Sequence, residues 1–327
     1  MPADYDAFLL VSFGGPEKRE DVIPFLENVL RGRNVPRERL LEVAEHYYHF
    51  DGVSPINRQC RDLIAALKSE FESAGLHLPI YWGNRNWHPL LADTVTQMRA
   101  DGIHRALALA TSAYGSYSGC RQYREDIERA RAAVPDAPAI EKFPPFADHP
   151  GFLSAAAARL RAALEQLPGA GIVYTAHSIP VAMAQSSPYE QQLRTTAAKV
   201  HELAGAPGSP TLVYQSRSGP PTQPWLGPDI GDYIRRTDSR RLIVNPIGFL
   251  SDHMEVLYDL DFEAAAIARD RGIEFLRCGT VGTHPDFVRA IREMVQTAMK
   301  NGVIACAGVC DDACCPPPQR PQAPRPQ

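Results

Sequence analysis

Two hydrophobic rhythms alternate along the chain. Short, nearly unbroken apolar runs, the pattern of strands buried on both faces, fall at 8–13, 78–83, 106–110 and 139–143, and again at 171–176, 212–215, 242–246 and 273–276. Between them, apolar residues recur every three or four positions, the period of an amphipathic helix. Such stretches cover 20–30, 40–48, 60–74 and 91–100 in the first half, and 152–166, 190–204, 228–236 and a segment opening at Asp252 in the second. Four strands per half, each followed by a helix, predict an α/β fold of two doubly wound lobes, each with a four-stranded parallel sheet. The expected division is 1–148 for the first lobe, 149–301 for the second with a closing helix at 285–300, and 302–327 for a tail rich in Cys and Pro. Residues 316–327 carry too much proline to fold independently.

The segment after the 242–248 run holds the densest chemistry. Asp252 is the predicted N-cap, and Met254, Leu257, Leu260 and Phe262 are the predicted apolar side. Glu255, Asp259 and Glu263 stand four residues apart, which places their carboxylates on one helix face. Like charges at that spacing repel by about a few tenths of a kcal/mol per pair. Such a face is either solvated or attracts cations. Its place beyond a strand C-terminus favours the cation, because ligands of open α/β sheets bind there. His177 also ends a strand, and its loop lies on the same side of the fold. An imidazole facing the Glu255 carboxylate can hold a divalent first-row metal or accept protons near neutral pH. Two ligands fall short of the four of a structural zinc site, so an exchangeable metal suits them better.

Phe13, Tyr114, Tyr117, Tyr123, Trp225 and Phe249 cluster near strand ends, where they either pack the lobes or line a cleft for a large flat ligand. Ser54 is a helix-cap candidate, and Arg31 and Arg33 mark a charged loop. Gly14 and Gly15 suit a tight turn, but neither the spaced glycine fingerprint nor a Walker lysine is present.

A net charge of −4 gives no reason to expect nucleic acid. No apolar run is long enough to span a bilayer, and residues 1–6 are acidic and lead directly into a strand. A cytoplasmic protein with reduced thiols and no stable membrane anchor is expected. Cys60, Cys120 and Cys278 are scattered, whereas Cys306, Cys310, Cys314 and Cys315 crowd the tail, which points to a local function there.

Taken together, LLVSFGGP at 9–16, GVSPI at 52–56, AHSIP at 176–180, QS at 215–216 with PWLGP at 224–228, and SDHMEVLYD at 251–259 resemble a ferrochelatase. The likeness runs in order from about 8 to 299 and covers nearly all of the folded part. It implies two Rossmann-like lobes with a tetrapyrrole between them. His177 matches the active-site histidine and Glu255 its partner. Asp259 and Glu263 match an acidic ladder for the metal, on a helix with a π-type distortion. Ser54 and Tyr123 match porphyrin-contacting positions, and Phe13 and Trp225 join them as candidate ring contacts. Some relatives carry a tyrosine at the position of Phe13 that meets the metal; Phe13 can only stack.

The implied reaction inserts Fe2+, as substrate, into a bent porphyrin, with binding energy elsewhere on the macrocycle offsetting the strain. The short, charged segment between Arg31 and Gly52, and similarity to actinobacterial-type enzymes, imply coproporphyrin III as substrate and coproheme as product in heme biosynthesis. Alternatives are protoporphyrin IX, another tetrapyrrole or metal, or a non-catalytic porphyrin or metal carrier. A monomer is implied, with at most transient contact with the next heme-pathway enzyme. The tail echoes relatives that bind a [2Fe–2S] cluster. Since 151–155 lacks the internal cysteine of those relatives, either Cys306, Cys310, Cys314 and Cys315 all ligate, or Cys120 or another body thiol completes the set.

Overall fold

A computed structural model describes residues 4–32, 35–219, 222–303 and 314–317. Arg33, Cys306 and Cys310 lie outside the described residues. Lobe one runs β1 (Ala7–Ser12), a 3-10 turn (Arg19–Asp21), α1 (Val22–Val29), α2 (Arg37–Tyr48), α3 (Ile56–Ser73), β2 (Ile80–Asn84), α4 (Leu91–Ala100), β3 (Arg105–Ala110), a π-helical turn (Tyr117–Arg121), α5 (Gln122–Ala132) and β4 (Ala139–Lys142). Lobe two runs α6 (Pro150–Gln166), β5 (Gly171–His177), α7 (Val181–Gln185), α8 (Tyr189–Leu203), β6 (Thr211–Gln215), α9 (Ile230–Arg236), β7 (Arg241–Asn245), α10 (Met254–Val256), a π-helix (Leu257–Ala264), α11 (Ala265–Asp270), β8 (Glu274–Arg277) and α12 (Pro285–Asn301). Every predicted strand is present within a residue or two. The π-turn with α5, and the short α7, were not predicted.

Each lobe has a four-stranded sheet, ordered β2-β1-β3-β4 and β6-β5-β7-β8, with all pairings parallel. The identical order puts a topological switch point between β1 and β3, and another between β5 and β7. The crevice at such a point lies beyond the strand C-termini, where His177 ends β5 and the chain leaves β7 toward Glu255.

The lobes share an apolar interior. Phe8, Leu10 and Leu109 of lobe one belong to the same buried cluster as Tyr174, Tyr214 and Ile243 of lobe two. Phe287, Ile291, Val295 and Ala298 give α12 one buried side, which seats it against α3 and α6. Arg292 of α12 pairs with Glu70 of α3 at 2.7 Å. Tyr114, fully buried in lobe one, donates its hydroxyl to the Ile247 carbonyl of lobe two at 2.8 Å. This assigns Tyr114 to lobe packing. Among the described residues, no helix is long and apolar enough to cross a membrane.

The segment after β7 departs from its predicted form. His253, not Asp252, is the N-cap, and its Nδ1 accepts the Glu255 N–H at 3.3 Å. Asp252 is drawn away by Arg277, at 3.0 Å, and by the Thr280 hydroxyl. Of the predicted apolar side Met254 and Leu260 are buried, together with Val256, Ala264 and Ala268, while Phe262 is 40% exposed. The reason is the i→i+5 bonding over Leu257–Ala264, which widens each turn and rotates Phe262 outward.

Candidate active site

His177 is the last residue of β5, and three contacts fix its surroundings. Its Nδ1–H faces the Ser178 carbonyl, the Tyr189 hydroxyl donates to the His177 carbonyl at 3.0 Å, and the Ser178 N–H donates to Gln215 O at 2.8 Å. With Nδ1 engaged, Nε2 is the free nitrogen of the neutral ring. It lies 3.4 Å from Glu255 Oε1.

Glu255 arrives from the other side of the switch point. The loop carrying it passes against β5 at Gly248, where a side-chain carbon would stand 2.6 Å from Ala176 Cβ. Gln215 Nε2 donates to the Glu255 carbonyl at 2.8 Å, and His253 Nδ1 lies 3.9 Å from its Oε2. One carboxylate oxygen thus faces His177 and the other faces His253. Both side chains keep an opening to the cleft, at 30% exposure for His177 and 47% for Glu255.

The electrostatics follow from this geometry. Burial disfavours a charged His177, but the Glu255 carboxylate and the Ser178 carbonyl outweigh it and raise the imidazole to about 9. Glu255 also resists charging through burial, yet His177 pulls it down to about 2. Without metal, the pair at neutral pH is an imidazolium beside a carboxylate. Burial keeps His253 below the ordinary histidine value despite Glu255, in line with its acceptor role at Nδ1. Asp259 is pushed up to about 7, chiefly by burial, with Glu255 and Glu263 adding to the shift and the Ser216 hydroxyl opposing it. Glu263 is also raised, again mainly by burial. The row therefore grades from a fully charged Glu255 to an Asp259 that exchanges protons at neutral pH.

Ser216 holds Asp259 from the end of β6 through a hydroxyl–carboxylate hydrogen bond. Its φ of 61° is in the left-handed region, an uncommon position for a residue with a side chain and one found mostly where function demands it.

The candidate ring contacts divide. Phe13 follows β1, is 36% exposed, and leans edge-on against Phe25. Ser54 is buried beside the Phe13–Pro16 turn, and its N–H donates to Pro16 O at 2.8 Å; it does not cap α3, whose N-cap is Pro55. A side-chain carbon on Gly15 would meet Ser54 Cβ at 2.8 Å, which explains the glycine there. Tyr123 is buried under the Arg85 guanidinium, 4.6 Å from its ring centre. Trp225 packs over Gly219 and bridges Pro180, two residues beyond Ser178.

Sequence reasoning missed several residues. His253 sits two positions before Glu255, the spacing of a capping side chain to the N2 amide, and that signal was readable. Arg85, paired with Asp126 and lying over the Phe13 and Tyr123 rings, gave no signal. Nor did the lip formed by α2, where His46 stacks on Tyr258 at 3.8 Å and His49 meets Phe262 at 4.1 Å. Leu41 and Val53, in and after that helix, are exposed, so the lip is less uniformly polar than its charges suggested.

Known proteins match this chain along its length. The ferrochelatase family model covers residues 5–299. A ferrochelatase of Rhodopirellula baltica is 57% identical over 302 residues, covering 89% of this chain and 86% of its own. A coproporphyrin III ferrochelatase of Nocardia farcinica is 48% identical, covering 97% and 98% of the two chains, and one of Streptomyces coelicolor is 46% identical, covering 98% and 95%. Among solved structures, CbiX, a terminal enzyme of siroheme biosynthesis in denitrifying bacteria, aligns with a TM-score of 0.55 at 17% identity over 89% of this chain and 99% of its own. The sirohydrochlorin chelatase SirB of Bacillus subtilis subspecies spizizenii aligns with a TM-score of 0.54 at 11% identity, over 91% and 96%. At such identities the structural likeness concerns the fold.

Proposed function

Because the chain belongs to the ferrochelatase family and is an enzyme that inserts a metal into a porphyrin, we propose that it inserts Fe2+ into coproporphyrin III, with His177 and Glu255 as the reacting pair. The observation that carries this reading is the 3.4 Å approach of His177 Nε2 to Glu255 Oε1 at the switch point of lobe two. The relatives from Nocardia and Streptomyces support the choice of porphyrin.

Metallation exchanges the two inner N–H protons of the macrocycle for one divalent cation. The resting pair already holds a proton on Nε2, and it must leave before a pyrrole proton can be accepted. Glu255 is in place to take it and pass it to Asp259, which both gains and loses protons near pH 7. The same carboxylates attract Fe2+ moving inward along Glu263, Asp259 and Glu255, so protons leave as the metal approaches. Each step then keeps the charge of the row nearly constant in a partly buried site, where uncompensated charge is costly. On the opposite ring face Phe13 offers stacking and no ligand atom, so the metal is delivered from the His177 side.

The tail is a separate question. Among the described residues no three Cys, His, Asp or Glu side chains gather to hold a metal ion, so these residues alone do not fit an iron–sulfur cluster and no step passes through one. The Cys314 carbonyl accepts from Arg121 Nη1 at 3.2 Å, and Lys142 Nζ is 3.3 Å from Cys120 Sγ. Iron and sulfide analysis with a visible spectrum of the purified protein, before and after truncation ahead of Cys306, decides the matter; an unchanged spectrum rules the cluster out.

The substrate is tested by steady-state metallation of coproporphyrin III and protoporphyrin IX with anaerobic Fe2+. A higher kcat/KM for coproporphyrin III is expected. Preference for protoporphyrin IX would overturn the assignment, and metallation no faster than without protein would leave a carrier.

A further inference from the structure

Arg277, the last residue of β8, points its guanidinium at the segment that carries Glu255. Its side chain is only 14% exposed. A guanidinium has five N–H donors in a rigid fork. Nε and Nη2 reach the two oxygens of Asp261 at 2.5 and 2.9 Å, Nη1 and Nη2 reach those of Asp252 at 3.0 and 3.4 Å, and Nη1 reaches the Cys278 carbonyl at 3.2 Å. Every donor is used. Asp252 precedes Glu255 by three positions and Asp261 follows it by six, so the fork spans the turn into the π-helix and the middle of that helix.

We propose that Arg277 is a positioning residue for metal insertion: by joining Asp252 to Asp261 it holds the π-helical register that sets Glu255 opposite His177. The inference rests on the reading of His177 and Glu255 as the reacting pair. Its physical basis is that i→i+5 bonding is rare and is frequently found at functional sites, and that the fork joins this stretch to the turn before it. If Leu257–Ala264 relapsed to α-helical bonding, Asp261 would rotate relative to Asp252, and the row of Glu255, Asp259 and Glu263 would turn with it. One fork can bridge both carboxylates only in the observed register. Other ties on this segment are Gln215 to the Glu255 carbonyl, Ser216 to Asp259, Gln59, whose Oε1 accepts the Asp252 N–H at 2.9 Å, the Thr280 hydroxyl to Asp252 at 3.2 Å, and the ring contacts of His46 with Tyr258 and His49 with Phe262. None of them reaches Asp261. Lysine cannot substitute, because a single ammonium lacks the planar fork.

The test uses the full chain with Arg277→Lys and Asp261→Asn, and His177→Ala as control. Kinetics of coproporphyrin III metallation, melting temperature, and the visible spectrum of Co2+ added to the porphyrin-free protein are read together. Arg277→Lys is expected to lower kcat about ten- to hundredfold at unchanged porphyrin KM and to alter the Co2+ band, and Asp261→Asn to do the same more weakly. Combining the two should be no worse than Arg277→Lys alone, since both cut one tie. If Arg277→Lys does not fold, Asp261→Asn decides on the same readouts. Folded variants with full kcat and an unchanged Co2+ band, or with only porphyrin KM raised, would overturn the role of Arg277. If they do so while His177→Ala is inactive, the reacting pair stands; an active His177→Ala would overturn both.

Discussion

The approach of Gly248 to β5 is a close contact in the scaffold behind the reacting pair, and Gly248→Ala probes it. The added Cβ would stand 2.6 Å from Ala176 Cβ and 2.7 Å from Ala176 Cα, one residue before His177. Carbon atoms pack best at about 3.5–4.0 Å, so the loop and the strand must part by about 1 Å. The Ala176 side cannot yield easily, because it is fully buried and the Gly248 N–H is tied to Thr175 O at 3.0 Å. Overpacking of this kind costs about 1–3 kcal/mol of stability, and a displacement of about 1 Å in a reacting group costs about 10²-fold in rate. That loss corresponds to about 2.7 kcal/mol in the barrier. The assay is kcat/KM for metallation alongside a denaturant melt, in wild-type and His177→Ala backgrounds. If Gly248→Ala acts by separating His177 from Glu255, its effect on rate should largely vanish once His177 is gone, while its effect on stability remains. Wild-type activity in Gly248→Ala, or an equal loss of rate in both backgrounds, would refute the reasoning.

Other consequences are as specific. In α6 and α12, Nδ1 of His149 and of His284 caps the helix by accepting an N–H at 3.2 Å, and burial holds both rings below the ordinary value of 6.5. The unfolded chain therefore binds protons first, so this stability is present above about pH 6.5 and lost as pH falls through the depressed values. Replacing both by Asn, which caps without titrating, should flatten the acid side of a melting-temperature profile by about 1 kcal/mol per cap. Tyr114→Phe removes the buried bond to Ile247 O and should cost about 1–3 kcal/mol in chemical denaturation; no loss would show that the link is dispensable. Asp259→Asn should raise KM for the metal ion while leaving porphyrin KM unchanged, and the opposite pattern would remove Asp259 from the metal path.

The sheets were legible because parallel strands covered on both faces must be apolar throughout, as the fully buried 7–12 run shows. His177 and Glu255 were legible because each lies just beyond such a run. The local form of the Glu255 segment was not legible in the hydrophobic pattern; its π-type distortion was implied only by the resemblance. Leu257–Ala264 has no hydrophobic period that distinguishes π from α, and the cap passed from Asp252 to His253 because Arg277, 25 residues on, claims the Asp252 carboxylate. Pairings at that separation leave no trace in local pattern. The same holds for Arg85 over Tyr123 and for the ring stacks between α2 and the π-helix. Tyr123 shows the converse: a motif position named it, but its depth beneath Arg85 could be learned only from packing.

The most direct test of the His177–Glu255 pair is the absorbance change on mixing coproporphyrin III with anaerobic Fe2+ and wild-type protein, His177→Ala, Glu255→Gln or the double variant. Each single variant should be slower than wild type by about 10²-fold or more, and the double variant no slower than the worse single, since the pair acts as one unit. Metallation by His177→Ala at the wild-type rate would contradict the account.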